Sequence, residues 1–362
     1  MHKFINLPLL DKMTKEFDMD LSDVTLVTSH HVLESNYSLM NYLFSKWLKG
    51  GNTFCISKAY STDKDVLKKY IASWIHLSGY ELIEKIPDNY LEFYTKKVEE
   101  FILSIREILN SAKKIIIWDD WWRIIECLSR SYPHLAHKIF TIEHTTSWFQ
   151  YVKNIALFPI INIARNTLKL DRESYYIALS CFESIIKETN NLGLSIKKCL
   201  IIWKGAIGSR LGDIFSENNI EISFYDKNPL ISDIKDLDNL SSYDCIVGAT
   251  WTNLVQDMWF FNRTKIWTVF CSTSSWDYEF NASLIRKQLS QASSIHSNLE
   301  INWRYLLNNG FPVNFQWHWE PEWIYNMQIT RALVYWAMWQ LMNESLTNWL
   351  TELSTNITEY LN

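Results

Sequence analysis

The sequence predicts an α/β protein built from two doubly wound, Rossmann-like domains, the second inserted before C-terminal helices that return to the first. Short β-branched runs alternate with longer helical patterns, the rhythm of βαβ units in a parallel sheet covered on both faces. That alternation occurs twice, on either side of a helical stretch that stops at a glycine. The 362 residues, 48% hydrophobic, are enough for two ordinary cores. The expected division is 1–180 for the first domain, 181–318 for the second and 319–362 for the returning helical segment.

The elements follow in order. "DVTLVT" (23–28) precedes a helix through 34–48, and "TFCIS" (53–57) precedes the helical "TDKDVLKKYIASWIHL", with Thr62 and Asp63 as N-cap candidates. A helix near 89–112 leads to "KKIIIW" (113–118), and "KIFTIE" (138–143) follows. From about 176, "YIALSCFESIIKETNNLG" is a helix with a glycine stop signal. The second series is "KCLIIW", "EISFYD", "DCIVGAT" and "KIWTVFC", and "QITRALVYWAMWQLMNESL" closes the chain as a long amphipathic helix.

Composition narrows the function classes. A net charge of −5 argues against a protein held to nucleic acid through phosphates. The longest apolar runs, "IALFPIINIA" and "ALVYWAMWQLM", are about half the roughly 20 residues of a membrane span. The N-terminus lacks a sustained apolar run and mixes charges of both signs, unlike a secretory leader. Six scattered cysteines without C-x-x-C fit reduced core residues and a cytoplasmic location. His134 and His137 ("HLAH") have no further ligand at metal spacing, so no metal is expected.

The stretch "CLIIWKGAIGSRLGDIFSENNIEISFYDKNP" (199–229) reads as strand, glycine turn, helix and strand. Gly205 and Gly208 fit the second and third glycines of G-x-G-x-x-G: one admits a pyrophosphate, the other lets helix and strand pack closely. With Ala206 and Ile207 they form the expected cofactor turn. Asp226, 21 residues past Gly205, stands where an acid binds a ribose diol and favours NAD over NADP. Trp203 occupies the place of the first glycine.

Several segments in order resemble the adenosylhomocysteinase family. "HVLESNYSLMNYL" (31–43), "SKAYSTDKD" (57–65), "IIWDDWW" (116–122), "EHTTSW" (143–148), "LFPIIN" (157–162), "CFES" (181–184) and "FCSTSSWDYEF" (270–280) carry the likeness. The resemblance implies a substrate domain, an inserted NAD domain and reversible hydride transfer at a ribose hydroxyl. Residue by residue it implies that Asp120 and His31 orient substrate, with His30 as the alternative register for His31. It places Thr62, Glu143, His144, Thr145, Trp121 and Trp122 along the substrate site, and Ser275 where the family has a second-domain histidine. One register sets Lys169 and Asp171 as an acid–base pair; the other sets Asp171, Glu173 and Ser174 there and removes the base.

Departures from that family concentrate in tryptophan. The chain has 18 Trp and only nine Gly. Trp121, Trp122, Trp148 and Trp203 stand at family glycines, and "NFQWHWEPEW" (314–323), with Glu320-Pro321, replaces a glycine-bearing segment. These indoles either fill the ligand crevice or line one for a flatter substrate. The family's basic, Tyr-bearing tail has no counterpart in "LTELSTNITEYLN", so exchangeable NAD is expected and a homo-oligomer, dimer or tetramer, is left open. The expected function is NAD-dependent hydride transfer at an alcohol carbon of an altered small-molecule substrate, nucleoside-like compounds included, with a catalytically silent nucleotide-binding or scaffold protein and true S-adenosylhomocysteine hydrolysis as alternatives.

Overall fold

The computed structural model describes residues 4–83, 86–145, 151, 154–274, 276–289, 294–316, 323–344, 350–353, 357 and 360. Trp148, Ser275 and Glu320-Pro321 lie outside them. The chain divides into two compact units: residues 1–81, 92–170 and 323–362 form the first, and residues 82–91 and 171–322 the second. The C-terminal segment therefore returns to the first unit.

The first unit is built on seven strands: β1 (Val24–Val32), β2 (Thr53–Thr62), β3 (His76–Ser78), β4 (Lys114–Asp119), β5 (Ile139–Glu143), β6 (Ile160–Asn162) and, far along the chain, β13 (Leu350–Glu352). Their order is β13-β6-β5-β4-β1-β2-β3, all pairs parallel. Chain order reverses between β1 and β4, the switch point outside which open α/β sheets hold ligands. All ten residues of β2 are buried, among them Thr53, Ser57, Lys58, Ser61 and Thr62, so its polar groups must find partners inside the unit. The helices Pro8–Glu16, Glu34–Phe44 and Gln328–Asn343 pack their apolar faces together over this sheet.

The helix Lys64–Ala72 is capped by Asp63, whose carboxylate accepts from Asp65 N and Val66 N at 2.7 and 3.0 Å, while Thr62 belongs to β2. The helical stretch expected near 89–112 is two helices, Tyr90–Ser104 and Arg106–Ser111, parted at Ile105.

The second unit carries β7 (Lys198–Ile202), β8 (Glu221–Tyr225), β9 (Cys245–Gly248), β10 (Val269–Ser272), β11 (Leu299–Glu300) and β12 (Tyr305–Leu306) in the order β11-β12-β10-β9-β7-β8. All pairs are parallel except β11 with β12. Alternate residues serve opposite faces. Cys199, Ile201, Cys245, Val247 and Cys271 join one core, and Leu200, Ile202, Ile246 and Phe270 join the other. The six cysteines are free thiols. No described helix is long and apolar enough to cross a membrane.

Candidate functional site

At the switch point of the first sheet, register places Ser29 beside Asp119, Asp119 beside Glu143, and Glu143 beside Asn162. A row of polar groups therefore crosses the strand ends. Asp119 closes the turn after β4. Its carboxylate accepts from the backbone N–H of Trp121, Ile124 and Ile125 at 3.0, 2.9 and 3.1 Å, capping the helix Arg123–Ser131. Burial raises its pKa to about 6, against the pull of those N–H bonds.

Asp120 points into a charged cluster. Lys58, from the middle of β2, donates to its Oδ2 at 2.6 Å and to its carbonyl at 2.9 Å. His31 Nε2 meets Oδ2 at 3.1 Å, and His144 Nε2 meets Oδ1. The Lys58 and Asp120 side chains are 2% and 3% exposed, so the ion pair is withdrawn from water. Burial opposes ionisation of Asp120, yet His144, Lys58 and His31 outweigh it and hold the carboxyl well below its ordinary value.

Hydrogen bonding fixes the imidazoles. Trp118 Nε1, which can only donate, reaches His144 Nδ1 at 3.1 Å. The His144 proton therefore sits on Nε2, facing Asp120. His31 Nδ1 pairs with the Ser61 hydroxyl. Burial first, and then the Lys58 charge, lowers His31 to about 4; burial also lowers His144 to about 4, against the Asp120 carboxylate. Both are neutral at pH 7, and because the Trp118 N–H fills the remaining nitrogen of His144, His31 is the imidazole of the pair left to take a proton.

Lys169 Nζ donates to the His144 carbonyl at 2.6 Å, which brings it to the edge of the cluster. Asp171 is exposed and lies two residues on, in the same π-helical segment Lys169–Glu173. Glu143 accepts from Thr145 N at 2.8 Å and from its hydroxyl; burial, then the Asp119 charge, raises its pKa well above the ordinary range. Trp121 and Trp122 are buried, Trp121 against Tyr94 and Trp122 against Tyr151 at 4.5 and 4.3 Å between ring centres. Thr62 hydrogen-bonds the Lys58 carbonyl at 2.8 Å. His30, the alternative to His31, is locked between Thr28 at 2.6 Å and Tyr70 at 2.8 Å and stacks on Trp118.

Sequence reasoning missed Lys58 and Trp118. The signal for Lys58 was present: a lone lysine inside a run that is otherwise all strand-like, where burial demands a carboxylate partner.

The second unit holds the glycine turn at its own switch point, after β7. Gly205 precedes the helix Ala206–Glu217, so Ala206 and Ile207 form its first turn. A β-carbon on Gly208 would lie 2.2 Å from the Trp203 carbonyl, so only glycine lets helix and strand come this close. Asp226, at the end of β8, accepts from Lys204 N at 2.9 Å, beside the turn. This carboxylate and the free helix N-terminus fit a dinucleotide's ribose and pyrophosphate. The Trp203 side chain does not: its Cδ1 and Nε1 lie 2.9 Å from where a Gly205 β-carbon would stand, over the turn.

No family model matches the chain. Two uncharacterized proteins of Mycobacterium tuberculosis, from strains CDC 1551 and H37Rv, are 28% identical over 317 residues, covering 85% of this chain. The chain spans 62% of the length of these relatives. Solved structures with a similar fold include an NAD+-bound 3-phosphoglycerate dehydrogenase of Entamoeba histolytica, with TM-score 0.45 and 11% identity over 90% of this chain and 97% of that one. Others are a glyoxylate reductase of Paecilomyes thermophila (TM-score 0.34, 10% identity, 66% and 78% covered) and the apo D-lactate dehydrogenase of Escherichia coli (TM-score 0.35, 14% identity, 66% and 79% covered).

The resemblance to adenosylhomocysteinase is therefore withdrawn: no family model matches the chain, and the solved structures named above are a 3-phosphoglycerate dehydrogenase, a glyoxylate reductase and a D-lactate dehydrogenase. The matches that suggested it were short, and most fall at strand ends. There, any two-domain Rossmann chain places acids, small hydroxyls and turn residues for the same structural reasons.

Proposed function

We propose that the protein is an NAD-dependent oxidoreductase that moves a hydride to or from an alcohol carbon of a small molecule. The observation that carries this reading is Asp226 at the end of β8, hydrogen-bonded to the backbone of the glycine turn at 2.9 Å. Gly205, Ala206, Ile207 and Gly208 would hold the pyrophosphate, and Asp226 the adenosine ribose diol, which favours NAD over NADP. When bound, the nicotinamide supplies the hydride acceptor or donor.

The first unit's residues do the proton chemistry. Lys58 keeps Asp120 ionised, Asp120 orients His31 and His144, and Trp118 sets the His144 tautomer. His31 is the most exposed of the four, its side chain 19% accessible, and its Nδ1, paired with the Ser61 hydroxyl, is the nitrogen that would accept a substrate proton. Lys169, Glu143, Thr145, Thr62, Trp121 and Trp122 shape the surroundings. Reduced, mostly buried cysteines suit an enzyme of the cytoplasm.

The test is titration of NAD+ and NADH against tryptophan fluorescence, with mass spectrometry of anything released on denaturation. Micromolar binding, weakened by Asp226→Asn, is expected. No response and no released nucleotide would sink the reading. A binding protein without turnover is the second reading, favoured by the Trp203 indole lying over Gly205.

A further inference from the structure

Backbone conformation separates the tryptophans of this chain from its other aromatic residues. The sequence holds 18 Trp, 18 Tyr and 18 Phe against nine Gly. Among the described residues, twelve non-glycine positions have positive φ: seven are Trp, five are Asn, and none is Tyr or Phe. Asparagine tolerates the left-handed region because its short amide bonds locally. An indole has no such compensation, and a bulky residue there is an outlier. Aromatic size is not the cause, since no Tyr or Phe among the described residues enters the region.

Local hydrogen bonds show what these positions require. After the helix Ser174–Asn191, Gly193 (φ 71) closes the turn, with Gly193 N–H donating to Asn190 O at 2.9 Å and Leu194 N–H to Thr189 O at 3.0 Å. The same bond pair closes the helix Glu34–Phe44 about Trp47 (φ 70), at 3.1 and 3.3 Å. It closes the helix Lys64–Ala72 about Trp74 (φ 63), at 3.0 and 3.2 Å. This is the Schellman motif, whose left-handed site takes glycine or sometimes asparagine. Trp47 and Trp74 are 71% and 82% exposed, so packing gives little to offset the strain. Trp203, at φ 87, matches Gly79 and Gly310 at 84 and 82.

We infer that Trp47, Trp74, Trp122, Trp203, Trp267, Trp276 and Trp303 are glycine positions. The cell that makes this protein inserts glycine there, through a codon read as glycine rather than tryptophan. The turn 203–208 is then a complete G-x-G-x-x-G cradle for a pyrophosphate, with no indole over Gly205. A single codon accounts for all seven: UGA, a stop in the common code, specifies tryptophan in some genetic codes and glycine in another. Trp118, which keeps ordinary strand geometry, stacks on His30 at 4.5 Å and donates to His144, is outside the inference. The left-handed backbone at these seven positions is independent of whether the turn binds a nucleotide.

The protein isolated from cells that naturally express its gene, digested and sequenced by tandem mass spectrometry, is expected to show glycine at 47, 74, 203 and 303. Tryptophan masses at those positions overturn the inference. In the chain as written, Trp47→Gly and Trp74→Gly are each expected to shift the folding equilibrium roughly 5- to 30-fold toward the native state. Trp118→Gly, the control, should lower Tm; Tm falling at 47 and 74 as it does at 118 also overturns the inference. Glycine at 203 in a protein that binds neither NAD+ nor NADH leaves the inference standing and defeats the proposed function. Tryptophan at 203 with bound nucleotide does the reverse.

Discussion

The strand ends of the two units are built by opposite means. In the first, side chains from four neighbouring strands or the turns that follow them converge: His31, Lys58, Asp120 and His144 satisfy one another in a buried charge network. In the second, the turn 203–208 is shaped by backbone, through what a β-carbon would strike, and a single carboxylate, Asp226, sits beside it. One region should therefore be sensitive to charge and the other to volume. The largest expected effect tests the first. Asp120→Ala leaves Lys58 buried without its carboxylate and should cost about 3–5 kcal/mol in urea unfolding. A loss under 1 kcal/mol would mean that water already reaches the cluster.

Gly208→Ala tests the second. Its methyl would meet the Trp203 carbonyl at 2.2 Å, a backbone atom that cannot rotate away, and should cost about 1–3 kcal/mol. The same change at Gly193, with open space around it but φ at 71, isolates conformational cost from collision and should cost about 1 kcal/mol.

Acid titration sharpens the contrast further. His31 and His144 titrate at about 4 in the folded protein against an ordinary 6.5. Their contribution is whole above pH 6.5 and is lost as pH falls toward 4, because the unfolded chain takes up protons that the folded one refuses. Asp119 and Glu143, raised by burial, act in the opposite sense and favour the folded state on acidification. The double variant His31→Gln, His144→Gln should therefore gain Tm relative to the parent between pH 6.5 and 4. A constant Tm difference across that window would show that the imidazoles are already solvated. The smallest effect is that of Asp63→Ala: the Asp63 carboxylate caps Lys64–Ala72 and is no part of the charge network, and its loss should cost about 1 kcal/mol.

Much of the fold was legible because β-branched runs and glycine stops are local signals. The Gly205–Gly208 turn and Asp226 were readable for the same reason: chain order alone brings them together. The Asp120 cluster was legible only in parts. Asp120, His31 and His144 were singled out through a resemblance that does not hold, while Lys58 was passed over although it supplies the nearest charge. Which groups meet across a sheet depends on strand order and register, and neither is written in any one segment. The tryptophans were noticed as intruders at glycine sites. What composition could not show is that seven of them take a backbone conformation that glycine, not tryptophan, prefers.

The first sheet is completed by β13, which pairs with β6 nearly two hundred residues earlier in the chain. Residues 171–322, by contrast, need only the short segment 82–91 to complete the second unit. During synthesis the second unit is therefore whole while the first still waits for its last helix and edge strand. Until residues 328–352 leave the ribosome, the apolar faces of Pro8–Glu16 and Glu34–Phe44 lack their cover. A ribosome paused in that interval holds one finished domain and one sticky half-domain, the moment at which a chaperone matters most to this chain.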